Sequence, residues 1–94
     1  MESKVINKIP NGKLLKINLK YDDLSNKIID IKISGDFFIH PEESIDIIEE
    51  YLKNVKLSEK NLKNKIESII KEKSMEIIGF SSDDLVKTIL MCKS

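Results

Sequence analysis

Residue types that do chemistry are scarce in this chain. His40 is the only histidine and Cys92 the only cysteine. A lone imidazole does not build a metal site without carboxylate or thiolate company. Capping or solvent exposure is the plain expectation for His40, and a polar contact at a subunit interface is the alternative. Cys92 has no partner for an internal disulfide. A reactive thiol wants an exposed loop and a lowered pKa, so Cys92 reads as a small apolar residue on a helix face. The three glycines, Gly12, Gly35 and Gly79, are too widely spaced for a phosphate-cradling loop. All 16 cations are lysines, balanced by 16 Asp and Glu, and there is no arginine. Planar bidentate clamps on phosphate or carboxylate usually need arginine, and a net charge of zero argues against a nucleic-acid footprint. No residue is therefore assigned a catalytic, cofactor-binding or metal-binding role. Lys13, directly after Gly12, is the lysine best placed to reach beyond this chain. Its plainer reading is a solvated lysine at the start of a strand. Gly12 itself serves a turn or, less simply, lets a partner's backbone come close.

The run Gly35-Asp36-Phe37-Phe38-Ile39-His40-Pro41-Glu42-Glu43 is the densest in information. It joins an isoleucine-alternating strand to an amphipathic helix. Gly35 permits a backbone conformation that a Cβ resists. Pro41 suits the first turn of a helix, where its missing N–H has no partner anyway, and Glu42 and Glu43 would lie near the positive end of that helix. For the two adjacent phenylalanines the plain expectation is that both, or at least one, pack in the core. The functional reading is that one faces outward as an interface anchor. Asp36 reads as a cap on the turn, or else as a contact with substrate or partner.

This run, with the upstream segment Lys8-Ile9-Pro10-Asn11-Gly12-Lys13-Leu14-Leu15, resembles the C-terminal accessory domain of lipoate–protein ligases. Asn11 stands where that pattern has a first glycine, a mild departure because Asn also tolerates left-handed φ. The resemblance is specific over residues 8–15 and 33–43 and generic afterwards. The large catalytic domain has no counterpart in these 94 residues, so the likeness is to the separate small subunit of a bipartite, archaeal-type ligase. It implies a heterodimer with a catalytic subunit that holds ATP, Mg and lipoate. It implies that this chain is inactive alone, is needed to form lipoyl-adenylate, and matters less for transfer from a preformed adenylate. A lipoyl-domain acceptor protein is a further partner that it allows. Gly12, Lys13, Gly35, Asp36, Phe37, Phe38, His40 and Pro41 become the candidates for the interface or for closing the active site.

The elements that must position these residues follow from periodicity. Lys4 to Ile9 suggests a short strand, with Pro10-Asn11-Gly12 as a turn. Leu15, Ile17, Leu19 and Tyr21 alternate with polar residues, the period of a half-buried strand. Asp22 to Asn26 is a polar hairpin loop. Lys27 to Ser34 repeats the alternation, with Ile29, Ile31 and Ile33 expected inward. From Pro41 the spacing changes to Ile45, Ile48, Leu52, that of an amphipathic helix broken at Asn54-Val55-Lys56. Ser58 caps the next helix, whose apolar stripe is Leu62, Ile66, Ile69 and Ile70. Met75 to Phe80 is either a packed loop or a brief extended piece. Ser81 or Ser82 caps a last helix that turns Leu85, Val86, Ile89 and Leu90 inward.

Strands followed by helices predict an α+β fold in one domain, residues 1–94, with a small antiparallel sheet of two to three strands and about three helices on one face. The sheet edges and the Phe37/Phe38 corner are where a partner would dock. With no 18-residue apolar run and no secretory leader, neither a membrane nor a nucleic acid is expected as partner, and the cytoplasm is the expected location. Three other classes compete. An iron–sulfur or sulfur-handling scaffold needs reactive cysteines or several metal ligands, and one near-terminal cysteine is a poor match. A lipoyl-carrier domain is all-β, which three predicted helices contradict. An orphan interaction module of similar fold makes no further demand. The lysine-rich helix faces of residues 53–73 read as solvated surface or, in the functional version, as a field that steers an acidic lipoyl domain.

Overall fold

The structure, a computed structural model, describes residues 1–10 and 13–93. Strands β1 (Glu2–Ile9), β2 (Lys13–Asp22) and β3 (Lys27–Gly35) form an antiparallel sheet in that order. A three-residue strand β4 (Phe38–His40) follows, then helices α1 (Ser44–Leu52) and α2 (Glu59–Glu72), strand β5 (Glu76–Ile78) and helix α3 (Ser82–Met91). The α+β expectation holds, with one addition. β5 pairs antiparallel with β4 to make a second, two-stranded sheet.

The sheet buries one face, as its alternation dictates. Leu15, Ile17, Leu19 and Tyr21 of β2 point inward, while Lys16, Asn18 and Lys20 point to solvent. β3 departs from the expected phase. Ile28, Ile31 and Ile33 are buried, whereas Ile29 is exposed. Tyr21 pairs with Ile28 and Lys20 with Asp30, so Ile29 is an extra residue in the ladder. This is a β-bulge, which resets the inward face by one residue and turns Ile29 out while Ile28 takes its place. The β2–β3 turn is held by Asp22, whose carboxylate accepts the Leu24 N–H at 3.1 Å and the Ser25 hydroxyl at 2.9 Å. Those bonds hold its pKa below the usual value.

All three helices cover the same face. α1 packs on β3, α3 on β1 and β2, and α2 against both helices. Ile48 and Leu52 of α1, Leu62, Ile66 and Ile69 of α2, and Leu85, Val86 and Ile89 of α3 close the core. Their spacing is the period of a helix with one apolar stripe. Ser58 caps α2 by accepting the Asn61 N–H. Ser81, rather than Ser82, caps α3. Its hydroxyl accepts the Asp84 N–H while the Asp84 carboxylate accepts the Ser81 N–H, a reciprocal capping box. Cys92 is buried at the end of this layer, and burial pushes its thiol from 9.0 up to about 11. That is the environment of a packing residue, not of a nucleophile.

Pro41 does not open α1. The helix starts at Ser44, after a turn in which the Pro41 carbonyl accepts the Ser44 N–H at 3.0 Å. Extended pairing continues to His40, and the chain needs these residues to turn before Ser44 and Ile48 can be buried. The His40–Pro41 peptide is cis. Glu42 and Glu43 still precede the helix, and Glu43 occupies the N-cap position without a side-chain cap bond.

Candidate interaction site

The two sequence segments singled out above meet in space. β2 begins at Lys13 and β3 ends at Gly35, and the antiparallel register sets Leu15 opposite Gly35. The ladder runs one step further, since the Asp36 N–H donates to the Leu14 carbonyl at 2.9 Å. Gly35 has φ +149°, and a Cβ at that position would fall on the Leu14 carbonyl oxygen. Only glycine allows this approach and this angle together.

Beyond Gly35 the chain leaves the sheet, and the two phenylalanines part. Phe37 turns inward. Its ring meets Phe80 edge-on, with centroids 4.9 Å apart and planes at 86°, the arrangement that ring quadrupoles favour. Its backbone is pressed on Gly79, where a Cβ would lie 2.8 Å from the Phe37 Cβ. Phe38 turns outward and is 72% exposed. It stands opposite Ile78 of β5, itself 65% exposed. Ile39 and Ile77, the next pair, are half-buried and pack on the core. His40 and Glu76 complete the ladder, both exposed. A two-stranded ribbon three residues long is therefore glued to the body by Ile39, Ile77 and Phe37, and shows solvent an apolar pair.

The other candidates sort by place. Lys13 is half-buried, opposite Ile9 at the same end of the sheet as Gly35. Asp36 is exposed at the exit from β3. His40 and Pro41 lie at the far end of β4, away from the Gly35 junction. Gly12 is outside the described residues. Ile78, Gly79 and Phe80 belong to this corner and were not singled out in the sequence. The usable signal was a glycine beside an aromatic in a short apolar segment, a hint of close backbone approach.

The chemistry of the corner is that of contact. Among the described residues no group of three or more His, Cys, Asp or Glu side chains is placed to hold a metal ion. The groove beside the corner, lined by Ile77, Phe80, Ser82 and Glu67 among others, is shallow and open. An aromatic and an aliphatic side chain that protrude together from a short rigid ribbon suit the pocket of another protein.

The lysine-rich helical surface is partly engaged. Lys65 and Lys73 lie 5.6 and 5.8 Å from the Tyr51 ring centre. Lys53 pairs with Glu50 at 3.1 Å, which raises its pKa, and Lys63 pairs with Asp83 at 3.4 Å. No helix among the described residues is long and apolar enough to cross a membrane.

Comparison with known proteins points one way. Residues 4–89 match the family described as the bacterial lipoate protein ligase C-terminus. A stretch of 48 residues is 42% identical to lipoate-protein ligase A subunit 2 of Thermoplasma acidophilum, covering 51% of this chain. The match spans about half of that relative's length, 49%. A solved chain from the structural analysis of an archaeal lipoylation system of Thermoplasma acidophilum, a bi-partite lipoate protein ligase and its E2 lipoyl domain, superposes with a TM-score of 0.77. It is 27% identical, over 95% of this chain and 97% of that one.

Proposed function

The chain belongs to the lipoate protein ligase C-terminus family, and from that premise we propose that it is the accessory subunit of a two-component lipoate–protein ligase. It forms a heterodimer with a larger catalytic subunit and permits that subunit to activate lipoate. The observation that carries this reading is the structural likeness over nearly the whole chain to a solved chain of the Thermoplasma bipartite ligase system. The exposed Phe38–Ile78 pair supports it, because it offers a partner a ready anchor.

The division of labour is physical. Activation joins the lipoate carboxylate to ATP as an acyl-adenylate, and the acyl group then passes to a lysine of a lipoyl domain. ATP, Mg and lipoate sit on the catalytic subunit, which supplies the phosphate cradle and the positive charge. This chain contributes shape. A rigid α+β body docks beside the pocket and helps to close it against water, which would otherwise hydrolyse the mixed anhydride. Closure matters most while the adenylate forms and less once it exists. The chain works in the cytoplasm, and the lysine surface of α2 steers the acidic face of the lipoyl acceptor.

Reconstitution tests the proposal. Purified chain and purified catalytic subunit, mixed with lipoate and MgATP, should release pyrophosphate and form lipoyl-adenylate, and neither should do so alone. Full adenylation by the catalytic subunit without this chain would refute it.

A further inference from the structure

The two edges of the three-stranded sheet are treated differently. On β3 several of the outward backbone groups are occupied by the protein itself. The Ile28 N–H donates to the Val55 carbonyl at 3.0 Å, and the Ile28 carbonyl accepts the Asn54 N–H at 2.7 Å. The Ile33 N–H donates to the Glu49 carboxylate at 2.7 Å. The Leu57 N–H donates to the Asn26 carbonyl at 2.8 Å, which with the Ile28–Val55 bond makes a bridge between Lys27 and Lys56. A loop and one acidic side chain thus cover β3 in part, at Ile28 and at the Ile33 N–H.

Among the described residues β1 has no such cover. Met1 and Tyr21 exchange two bonds, the Tyr21 N–H to the Met1 carbonyl at 2.9 Å and the Met1 amino group to the Tyr21 carbonyl at 3.1 Å. Bonded pairs alternate along an antiparallel ladder. The register then commits Ser3, Val5, Asn7 and Ile9 to β2 and points the N–H and C=O groups of Glu2, Lys4, Ile6 and Lys8 outward. Among the described residues these outward groups meet no partner strand. The same four residues turn their side chains to the solvent face of the sheet, with Ile6 56% exposed between two exposed lysines.

We propose that the free edge of β1 receives an extended strand from the catalytic subunit, which adds a fourth strand to this sheet. The proposal rests on the function proposed above. It commits to the chemistry of the incoming strand, an apolar residue flanked two positions away on each side by a carboxylate. That pattern matches Lys4, Ile6 and Lys8 across a ladder whose same-face neighbours recur every second residue. A second copy of this chain fits less well, since antiparallel pairing centred on Ile6 sets Lys4 against Lys8 twice. The C-terminal end of β1 lies at the end of the sheet that also carries Gly35. The edge is two strand spacings from β3, roughly 10 Å, so one partner can span the edge and the aromatic corner. Backbone pairing supplies affinity and the alternating side chains supply selectivity.

The test is residue-resolved amide hydrogen exchange on the chain, free and saturated with the catalytic subunit. The Lys4, Ile6 and Lys8 amides should slow by about tenfold or more in the complex, while Val5 and Asn7, already in the ladder, change little. Ile6→Pro removes one outward donor from an edge strand, the setting where proline is tolerated. It should weaken the complex by about tenfold or more with far-UV circular dichroism unchanged. If that variant fails to fold, exchange in the wild type decides alone. A complex that forms while those three amides keep their free rates overturns the proposal and leaves the function standing. Absence of any complex removes both. Protection that appears in the chain alone as its concentration rises points to self-pairing and also overturns it.

Discussion

The three-stranded sheet and the β4–β5 ribbon show the same chain solving opposite problems. In the larger sheet nearly every apolar side chain of the inner face is buried, and one edge is partly covered by Glu49 and the 54–57 segment. In the ribbon only one of the two apolar pairs is absorbed. Ile39 and Ile77 pack down, while Phe38 and Ile78 stand in water. A domain with 40% apolar residues has no shortage of places to bury two more. They stand on a short ribbon whose Phe38–Ile78 end is held both by Gly35 and by the Phe37–Phe80 contact, so what holds the fold together is separate from the surface proposed to meet a partner.

That separation can be broken on purpose. The largest effect should come from Gly35→Ala, which forces a side chain onto the Leu14 carbonyl at a φ that L residues avoid. A loss of about 3 kcal/mol is expected, read as a lowered denaturation midpoint, and the corner would be displaced with it. Glu49→Ala should cost about 1–3 kcal/mol by leaving the Ile33 N–H without its acceptor. Glu49→Gln, which keeps a carbonyl oxygen, should recover part of the loss. Next comes pH. The Cys92 pKa is raised by burial from 9.0 to about 11. The folded state therefore favours the neutral thiol more than the unfolded state does. That contribution is intact below pH 9 and is lost as pH climbs through about 11. Wild type should lose stability relative to Cys92→Ala over that window, and equal slopes would contradict the burial argument. Smallest of all, Phe38→Ala should change stability by no more than about 0.5 kcal/mol. A drop as large as that of Glu49→Ala would mean that the corner belongs to the core.

Much of this architecture was legible in the residues because it is local. The alternation of β2, the helix stripes and the caps at Ser58 and Ser81 depend on neighbours within a few positions. The parts that escaped are those set by distant partners. The bulge that turns Ile29 out and Ile28 in is invisible to a strict period of two, since both residues are isoleucine. The pairing of β4 with β5 joins segments about forty residues apart, so Met75 to Phe80 carried no sign of its partner. Glu49 on an otherwise polar helix face looks like any exposed acid until β3 lies beside it. Pro41 was placed three residues too deep in α1, because its fixed φ suits a turn as well as a helix start. For the candidate site, a split between Phe37 and Phe38 was one of two readings, the other being that both pack in the core, and which ring points outward depended on Phe80 and Gly79.

The proposed role of this chain is to lend a docking surface and no reactive group. It is tested most directly by titrating the catalytic subunit with wild type and with the Phe38→Ala/Ile78→Ala double variant while pyrophosphate release is followed. The predicted result is a half-maximal concentration raised by about tenfold or more with the same plateau rate at saturation. An unchanged half-maximal concentration would contradict the role of the corner, and a collapsed plateau would show that these residues do more than dock.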